Sequence, residues 1–218
     1  MNYTELTAVI KGYAENDFPS TVGSFTSADQ IATFVKETEQ RIYNAVQILA
    51  LRKNVIGLTT ASNKYLAAPP DWLATFSLAV IDPVTGDYEY LLDKDVNFIR
   101  QSYPSATDTG KPAYYANWDQ DTFILGPTPD ANYQMELHYF YYPESIVTAG
   151  TSWLGDNFDS VLLYGALLEA AAFMKSDPDV ITNYRQRFDE AMILLKQLAE
   201  GKNRSDAYRN GQFRVPVR

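Results

Sequence analysis

The sequence predicts an α+β protein in which a helical domain is interrupted by an antiparallel β insertion and followed by an extended tail. Apolar residues recur at helical spacing towards both ends of the chain. Between residues 54 and 150, proline and glycine repeatedly separate short runs of β-branched and aromatic residues. The predicted boundaries are therefore 1–53 and 151–200 for the helical domain, 54–150 for the β domain and 201–218 for the tail.

Two helices are predicted before the β region. The spacing of Leu6, Ile10 and Tyr13 predicts a short first helix, which the turn-rich stretch 16–24 ends. The second begins at Thr26 or Ser27 as N-cap, with Gln30 completing a capping box after Ser27. Apolar residues then continue at helical spacing, so we expect one long amphipathic helix over about 27–53.

The β region contains two predicted hairpins and one strong strand pattern. Residues 77–81 and 88–92 flank a turn, as do residues 114–118 and 122–125. In residues 133–142, apolar and polar side chains alternate, which predicts one buried and one wet face. We expect the strands at 114–118, 122–125 and 133–142 to form an antiparallel meander.

The C-terminal third is predicted to form a helical hairpin. Asp156 or Asn157 caps the first helix, and Asp177 followed by Pro178 begins the second, which ends at Gly201. One face of the first helix carries residues with small side chains, which lets another helix approach closely. That helix belongs either to the same chain or to a neighbouring subunit, and we assign subunit packing to Gly165, Ala166 and Ala170.

Composition excludes several functional classes. The chain has no cysteine and a single histidine, His138, so neither thiolate chemistry nor a site with two imidazoles is available. A formal charge of -9 argues against general binding to nucleic acid, which requires clustered basic residues. The sequence predicts neither a signal peptide nor a transmembrane helix, and therefore no membrane association.

No pattern indicates catalysis, a cofactor or a metal. Residues 93–95 and 119–121 contain the paired aspartates of a calcium loop but lack its downstream glycine and glutamate, so we interpret them as turns. His138 lies on the polar face of its strand with no acid or nucleophile at useful spacing. We therefore predict no catalytic, cofactor-binding or metal-binding residues, and no enzymatic activity.

The order of several short motifs resembles the head-to-tail adaptor, or connector, proteins of tailed bacteriophages, particularly short-tailed ones. The motifs are residues 66–72, a hairpin ending in Leu91-Leu92, and residues 112–116, 124–130, 141–143, 153–154 and 162–170. The resemblance covers roughly residues 54–198. It implies a structural virion protein, assembled in the host cytoplasm, that forms a dodecameric ring beneath the portal protein.

The resemblance also implies partners. They are the portal protein, tail or nozzle proteins and further copies of the same chain, with DNA passing through the lumen without sequence-specific binding. The helical domain would contact neighbouring subunits, the β domain would face the tail, and the C-terminal tail would reach into the portal. A carboxylate-based hydrolase and a monomeric binding module using the tyrosine-rich sheet are the alternative functions.

The last eighteen residues are the predicted portal-docking element. They contain five basic residues and one acidic residue, a charge of +4, which leaves -13 on the rest of the -9 chain. Large apolar side chains would anchor an extended strand added to a partner sheet, while arginines pair with partner carboxylates. The predicted docking residues are Tyr208, Arg209, Phe213, Arg214, Val215, Val217 and Arg218.

Overall fold

A computed structural model describes residues 1–19, 25–82, 85–105 and 107–203, and it has the predicted α+β class. The contacts divide the chain into two units. The helical unit contains Met1–Ala50 and the described residues from Pro143 onwards, and the β unit is Leu51–Tyr142. The predicted boundaries, after residues 53 and 150, lie further along the chain at both junctions.

The helices and strands of the described residues are numbered in chain order. The helices are α1 (Tyr3–Ala14), α2 (Ser27–Ala45), α3 (Val96–Ser102), α4 (Ile146–Ala149), α5 (Trp153–Asn157), α6 (Asp159–Met174) and α7 (Pro178–Asn203). The strands are β1 (Arg52–Leu58), β2 (Tyr65–Ala67), β3 (Ala74–Ile81), β4 (Tyr88–Tyr90), β5 (Leu92–Asp93), β6 (Thr109–Gly110), β7 (Tyr114–Asn117), β8 (Thr122–Gly126), β9 (Thr128–Pro129) and β10 (Gln134–Phe140).

Helix α6 is the centre of the helical unit, in contact with α1, α2 and α7. Its buried residues occupy most of its circumference, as expected of a helix that is covered on several sides. The closest approach is at Gly165, where an added Cβ would overlap Thr38 of α2 and lie 3.0 Å from the ring of Phe188 in α7. Glycine at this position therefore allows the three helices to meet.

Helix α2 is shorter than predicted. It ends at Ala45, where Val46 turns extended with φ -138° and ψ 128°, and the chain reaches β1 through a 3₁₀ turn at Leu49–Leu51. No glycine or proline marks this end, and Val46 remains buried. Pairing of residues 52–58 with β10 overrides the helical spacing. The capping box is formed by Thr26 and Asp29, not by Ser27 and Gln30.

The helix ends in the C-terminal third also differ from the prediction. Asp156 and Asn157 lie inside α5, whose N-cap is Ser152, and α6 begins at Asp159 without a side-chain cap. Gly201 does not end α7, which continues to Asn203. A single glycine costs a helix only about 1 kcal/mol, so it does not stop a long helix by itself.

The β unit contains a four-stranded antiparallel sheet in the order β1-β10-β3-β4 and a second sheet in the order β2-β8-β7-β5. Both predicted hairpins are confirmed: β3 pairs with β4, and β7 pairs with β8. The predicted meander is wrong, because β10 lies between β1 and β3 in the other sheet. Alternation along a strand specifies its faces but not its neighbours.

Two features of the β unit were not predicted. The pairs β5–β7 and β6–β9 are parallel, so the insertion is not purely antiparallel. Helix α3 lies between the strands, with Asp95 as its N-cap and Ile99 buried. The main core of the unit lies between the two four-stranded sheets and contains Leu78, Val80, Leu91, Tyr115, Phe123, Leu125, Met135, Leu137 and Tyr139.

Candidate functional site

Strand β10 gives the β1-β10-β3-β4 sheet, hereafter the main sheet, two different faces. Met135, Leu137 and Tyr139 are at most 5% exposed and belong to the core. The alternate residues Gln134, Glu136 and His138 lie on the opposite face, and the first and last of them are exposed. This outer face of the main sheet is the wet face that the sequence predicts, and it is the candidate interaction surface of the β unit.

An aromatic and cationic cluster covers one end of the outer face. The guanidinium carbon of Arg52 lies 4.3 Å from the ring centroid of Phe76 and 5.4 Å from that of Phe140. The Phe76 ring also contacts His138, at 6.3 Å between centroids, and is 53% exposed. A register shift between His138 and Tyr139 in the β10–β3 ladder allows Phe76 to lie beside Ser77 on this face. The cluster is an exposed apolar surface with a positive charge.

The other end of the outer face is polar. A shallow groove of about 180 Å³ is lined by Ser77, Ala79, Tyr88, Tyr90, Glu136 and His138. The Asn54 side-chain amide donates a hydrogen bond to Glu136, and a hydrogen bond to the same carboxylate raises the pKa of Tyr88. The Glu136 carboxylate thus accepts hydrogen bonds from two neighbours, Asn54 and Tyr88. The groove therefore offers polar and aromatic groups for surface recognition.

The Pro69–Trp72 segment, part of a motif that carried the family resemblance, is fixed by a charged network. Asp71 accepts hydrogen bonds from Lys53 at 2.7 Å and from the Tyr139 hydroxyl at 2.8 Å. The hydrogen bond from Lys53 lowers the pKa of Asp71, and burial raises the pKa of Tyr139. The Trp72 ring lies edge-on to Phe123, at 5.3 Å between centroids. These residues have a structural role that joins the two sheets.

The helical unit has a separate open groove of about 480 Å³. The Tyr184 hydroxyl donates to the backbone carbonyl of Tyr13 at 3.3 Å, and Arg187 lies over the Tyr164 ring at 5.6 Å. Burial raises the pKa of Tyr184 above its ordinary value. The groove is a second tyrosine-rich surface with no titratable pair arranged for catalysis.

The residues assigned to subunit packing lie in the chain's own core, which corrects that assignment. Ala166 and Ala170 have no exposed surface, and Gly165 meets Thr38 and Phe188 of the same chain. In this fold, these three residues are therefore not available to contact a second copy. The face of α6 that carries small residues packs against helices of the same chain.

The predicted docking residues of the tail lie outside the described residues, which end at Asn203. Tyr208, Arg209, Phe213, Arg214, Val215, Val217 and Arg218 therefore remain a sequence-based prediction. The first three residues of the predicted tail, Gly201 to Asn203, belong to α7.

Sequence reasoning missed the aromatic cluster and the full extent of the outer face. Arg52 was assigned to the end of a helix and Phe76 to the residue before a strand, so nothing placed their side chains together. The β-branched residues Val55 and Ile56 were the available signal for β1. Their neighbours in the main sheet could not be read from spacing along the chain.

Within the described residues, no group of three or more histidine, cysteine, aspartate or glutamate side chains is placed to hold a metal ion. Likewise, none of the described helices combines the length and apolarity needed to cross a bilayer.

Comparison with protein families places the chain among bacteriophage structural adaptors. The match is to the SU10 adaptor protein family and extends over residues 1–216, so the chain belongs to that family. The resemblance to phage adaptors seen in the sequence is confirmed at this level. A structural adaptor of a phage is a component of the virion. No curated protein matches the chain.

Proposed function

We propose that this protein is the head-to-tail adaptor of a short-tailed bacteriophage and forms a homo-oligomeric, dodecameric ring that joins the portal to the tail. The observation that carries the proposal is the family match over residues 1–216, which includes the long helices, the β unit and nearly all of the tail. The same ring encloses a lumen through which DNA passes without sequence-specific binding. The portal, the tail or nozzle proteins and further copies of the chain are its partners.

The two units have different roles in this proposal. The helical unit contacts neighbouring subunits and the β unit faces the tail, where the outer face of the main sheet offers exposed aromatic and charged groups. Phe76 is 53% and Tyr90 is 67% exposed, a large apolar area for a surface sheet. No catalysis is proposed, because His138 contacts an aromatic ring and the Glu136 carboxylate is held by Asn54.

The tail is proposed to dock on the portal. Residues 201–218 carry +4 against -13 on the rest of the chain, so the tail favours an acidic partner surface. Tyr208 and Phe213 supply apolar anchors, and Arg209, Arg214 and Arg218 supply charge-assisted hydrogen bonds.

The experiment removes residues 204–218, which leaves α7 whole, and mixes the shortened protein with purified portal rings. We expect a folded variant, with an unchanged circular dichroism spectrum, that no longer sediments with the portal. Two full-length variants separate the contributions: Tyr208→Ala with Phe213→Ala removes the anchors, and Arg209→Glu with Arg214→Glu reverses the charge. Undiminished binding by the shortened protein would refute docking through the tail.

A further inference from the structure

The main sheet ends in two edge strands. Its order is β1-β10-β3-β4, and within the described residues no further strand pairs with β1 on the side away from β10 or with β4 on the side away from β3. An unpaired edge presents backbone donors and acceptors to any strand that can reach it. Which residues present them follows from the ladder.

At β1 the outward backbone groups belong to the residues on the outer face. Thr59 donates its amide to the carbonyl of Tyr133 at 2.9 Å, and Tyr141 donates to Leu51 at 3.0 Å. Hydrogen-bonded and non-hydrogen-bonded pairs alternate along an antiparallel ladder. The odd-numbered residues from 51 to 59 therefore bond to β10, while the amides and carbonyls of Arg52, Asn54, Ile56 and Leu58 point away from it.

This edge lacks the protection that natural edges usually carry. All of residues 53–58 are exposed, including Ile56 at 54% and Leu58 at 68%. Lysine, proline and bulges are the usual means of blocking an edge. Lys53 stands at the start of β1, but no such residue follows over 54–58, and the β1–β10 register is regular.

The backbone groups of β4 also alternate between β3 and the open edge. Asp82 donates to Asp87 and Leu91 donates to Leu78, both at 2.9 Å, so Glu89 bonds towards β3. The backbone groups of Tyr88 and Tyr90 point away from β3. Their side chains lie on the outer face, beside the polar groove, and are 52% and 67% exposed.

The two edges are complementary because the sheet has four antiparallel strands. Alternating directions make β4 antiparallel to β1, so a second copy in the same orientation brings its β4 antiparallel to the first copy's β1. Both edges present backbone groups from residues whose side chains lie on the outer face. When β4 of one copy pairs with β1 of another, the outer faces of the two main sheets therefore lie on the same side of the joined sheet.

The side chains near the two edges also suit each other. On the outer face, Tyr88 and Tyr90 would meet Ile56 and Leu58 as aromatic–aliphatic cross-strand pairs. These aromatic–aliphatic pairs favour the pairing of β4 with β1 over the pairing of β1 with a second β1.

We propose that β4 of one copy pairs with β1 of the next copy, so that the main sheet continues from subunit to subunit. This inference rests on the proposed ring and adds a contact between the β units of neighbouring subunits to the contacts proposed for the helical unit. A contact between two different surfaces of identical subunits repeats around a ring when the rotation closes. A β1–β1 pair would instead be two-fold and would stop at a dimer.

Cysteine cross-linking tests the pairing directly, because the chain contains no native cysteine. Asn54→Cys, Ile56→Cys and Leu58→Cys are each combined with Tyr88→Cys or Tyr90→Cys, which covers the possible registers. A disulfide requires Cα atoms within about 4.4–6.8 Å, so only paired edges react. Purified full-length protein at high concentration and assembled phage particles are oxidised mildly and run on non-reducing gels.

We expect at least one double-cysteine variant to give a ladder of multimers, while every single-cysteine variant remains a monomer on the gel. The control is Ile56→Cys with Gln120→Cys, which combines one edge residue with an exposed residue between β7 and β8 that belongs to neither edge strand. Absence of cross-links above this control in both preparations would overturn the inference. So would disulfide-linked dimers from a single β1 cysteine, which would indicate two-fold pairing.

A second pair of variants follows the pairing without disulfides. Ile56→Lys with Leu58→Lys blocks β1, and Tyr88→Lys with Tyr90→Lys blocks β4. Each variant alone should have the sedimentation coefficient of a monomer, and an equimolar mixture should form only dimers, since one junction remains possible. Rings formed by either variant alone would contradict the pairing. Mass spectrometry of wild-type particles for the chain reports separately on the proposed adaptor function.

Discussion

The helical unit and the β unit use their apolar residues differently. In the helical unit, α6 is covered by α1, α2 and α7, and its small residues pack against other helices of the same chain. In the β unit, β10 buries one face of the main sheet, while the other face is exposed and, among the described residues, neither edge pairs with a further strand. The edges of the main sheet are therefore expected to contribute an assembly surface, and substitutions at buried positions of α6 and α7 are expected to affect folding.

The largest expected effect is in the helical core. Leu195 of α7 is fully buried, whereas its neighbour Leu194 is 61% exposed. Leu195→Ala should lower the free energy of unfolding by about 2–5 kcal/mol through lost burial and a cavity. Leu194→Ala is the matched control and should change it by less than about 0.5 kcal/mol. Equal denaturation midpoints for the two variants would show that α7 does not bury Leu195.

Two helical glycines sharpen the comparison further. A methyl group at Gly165 would overlap Thr38, so Gly165→Ala should destabilise the protein by about 1–3 kcal/mol, the usual cost of overpacking. Gly12 of α1 has no atom within 4 Å of an added Cβ. Gly12→Ala should therefore stabilise α1 by about 0.5–1 kcal/mol. Urea denaturation of both variants measures these opposite signs, and a stabilised Gly165→Ala would contradict the close approach.

Glu39 provides a polar test of the helical core. It is 3% exposed, and its Oε1 accepts the backbone amide of Ile146 at 2.9 Å. Glu39→Ala leaves that amide unpaired and should cost about 1–3 kcal/mol, whereas Glu39→Gln keeps an acceptor. A smaller loss for Ala than for Gln in thermal unfolding would contradict the role of this hydrogen bond.

The same residue predicts a pH dependence. Burial raises the pKa of Glu39 above its ordinary value, so the folded state holds the proton more tightly than the unfolded state. Its contribution to stability is therefore present at low pH and is lost as pH rises through the folded pKa. The stability of Glu39→Gln relative to wild type should increase with pH across that range. If the stability of Glu39→Gln relative to wild type fell as pH rises, the pKa of Glu39 would be lowered on folding and not raised.

The smallest effect is expected on the outer face of the main sheet. His138→Ala removes an exposed side chain and should change the free energy of unfolding by at most about 0.5 kcal/mol. Leu137→Ala, one residue away on the buried face, should cost about 2–5 kcal/mol. We also expect His138→Ala to leave particle assembly intact. Fully assembled particles that lack infectivity would contradict a purely structural role for this face.

The sequence predicted features that depend on local periodicity. The faces of β10 followed from alternation, and both hairpins followed from turns between short strands. The end of α2 did not follow, because residues 46–51 keep the apolar spacing of a helix and contain no breaker. That helix stops because β1 pairs with β10, which lies far along the chain.

The candidate surfaces were less predictable than the fold. Exposure of β1 depends on its position at a sheet edge, and edge position is a property of strand order rather than of the residues in the strand. The small residues of α6 were equally ambiguous, since a helix from the same chain or from another subunit satisfies the same pattern. The burial of Ala166 and Ala170 and the contacts of Gly165 with Thr38 and Phe188 distinguish the two.

A cryo-electron microscopy reconstruction of the neck of intact particles tests the central claim most directly. We predict a ring of copies of this chain between portal and tail, with continuous β density from β4 of each copy to β1 of the next. A neck without density for the chain, in particles that are otherwise complete, would contradict the adaptor function. A ring whose main sheets do not touch would retain that function and contradict the edge pairing.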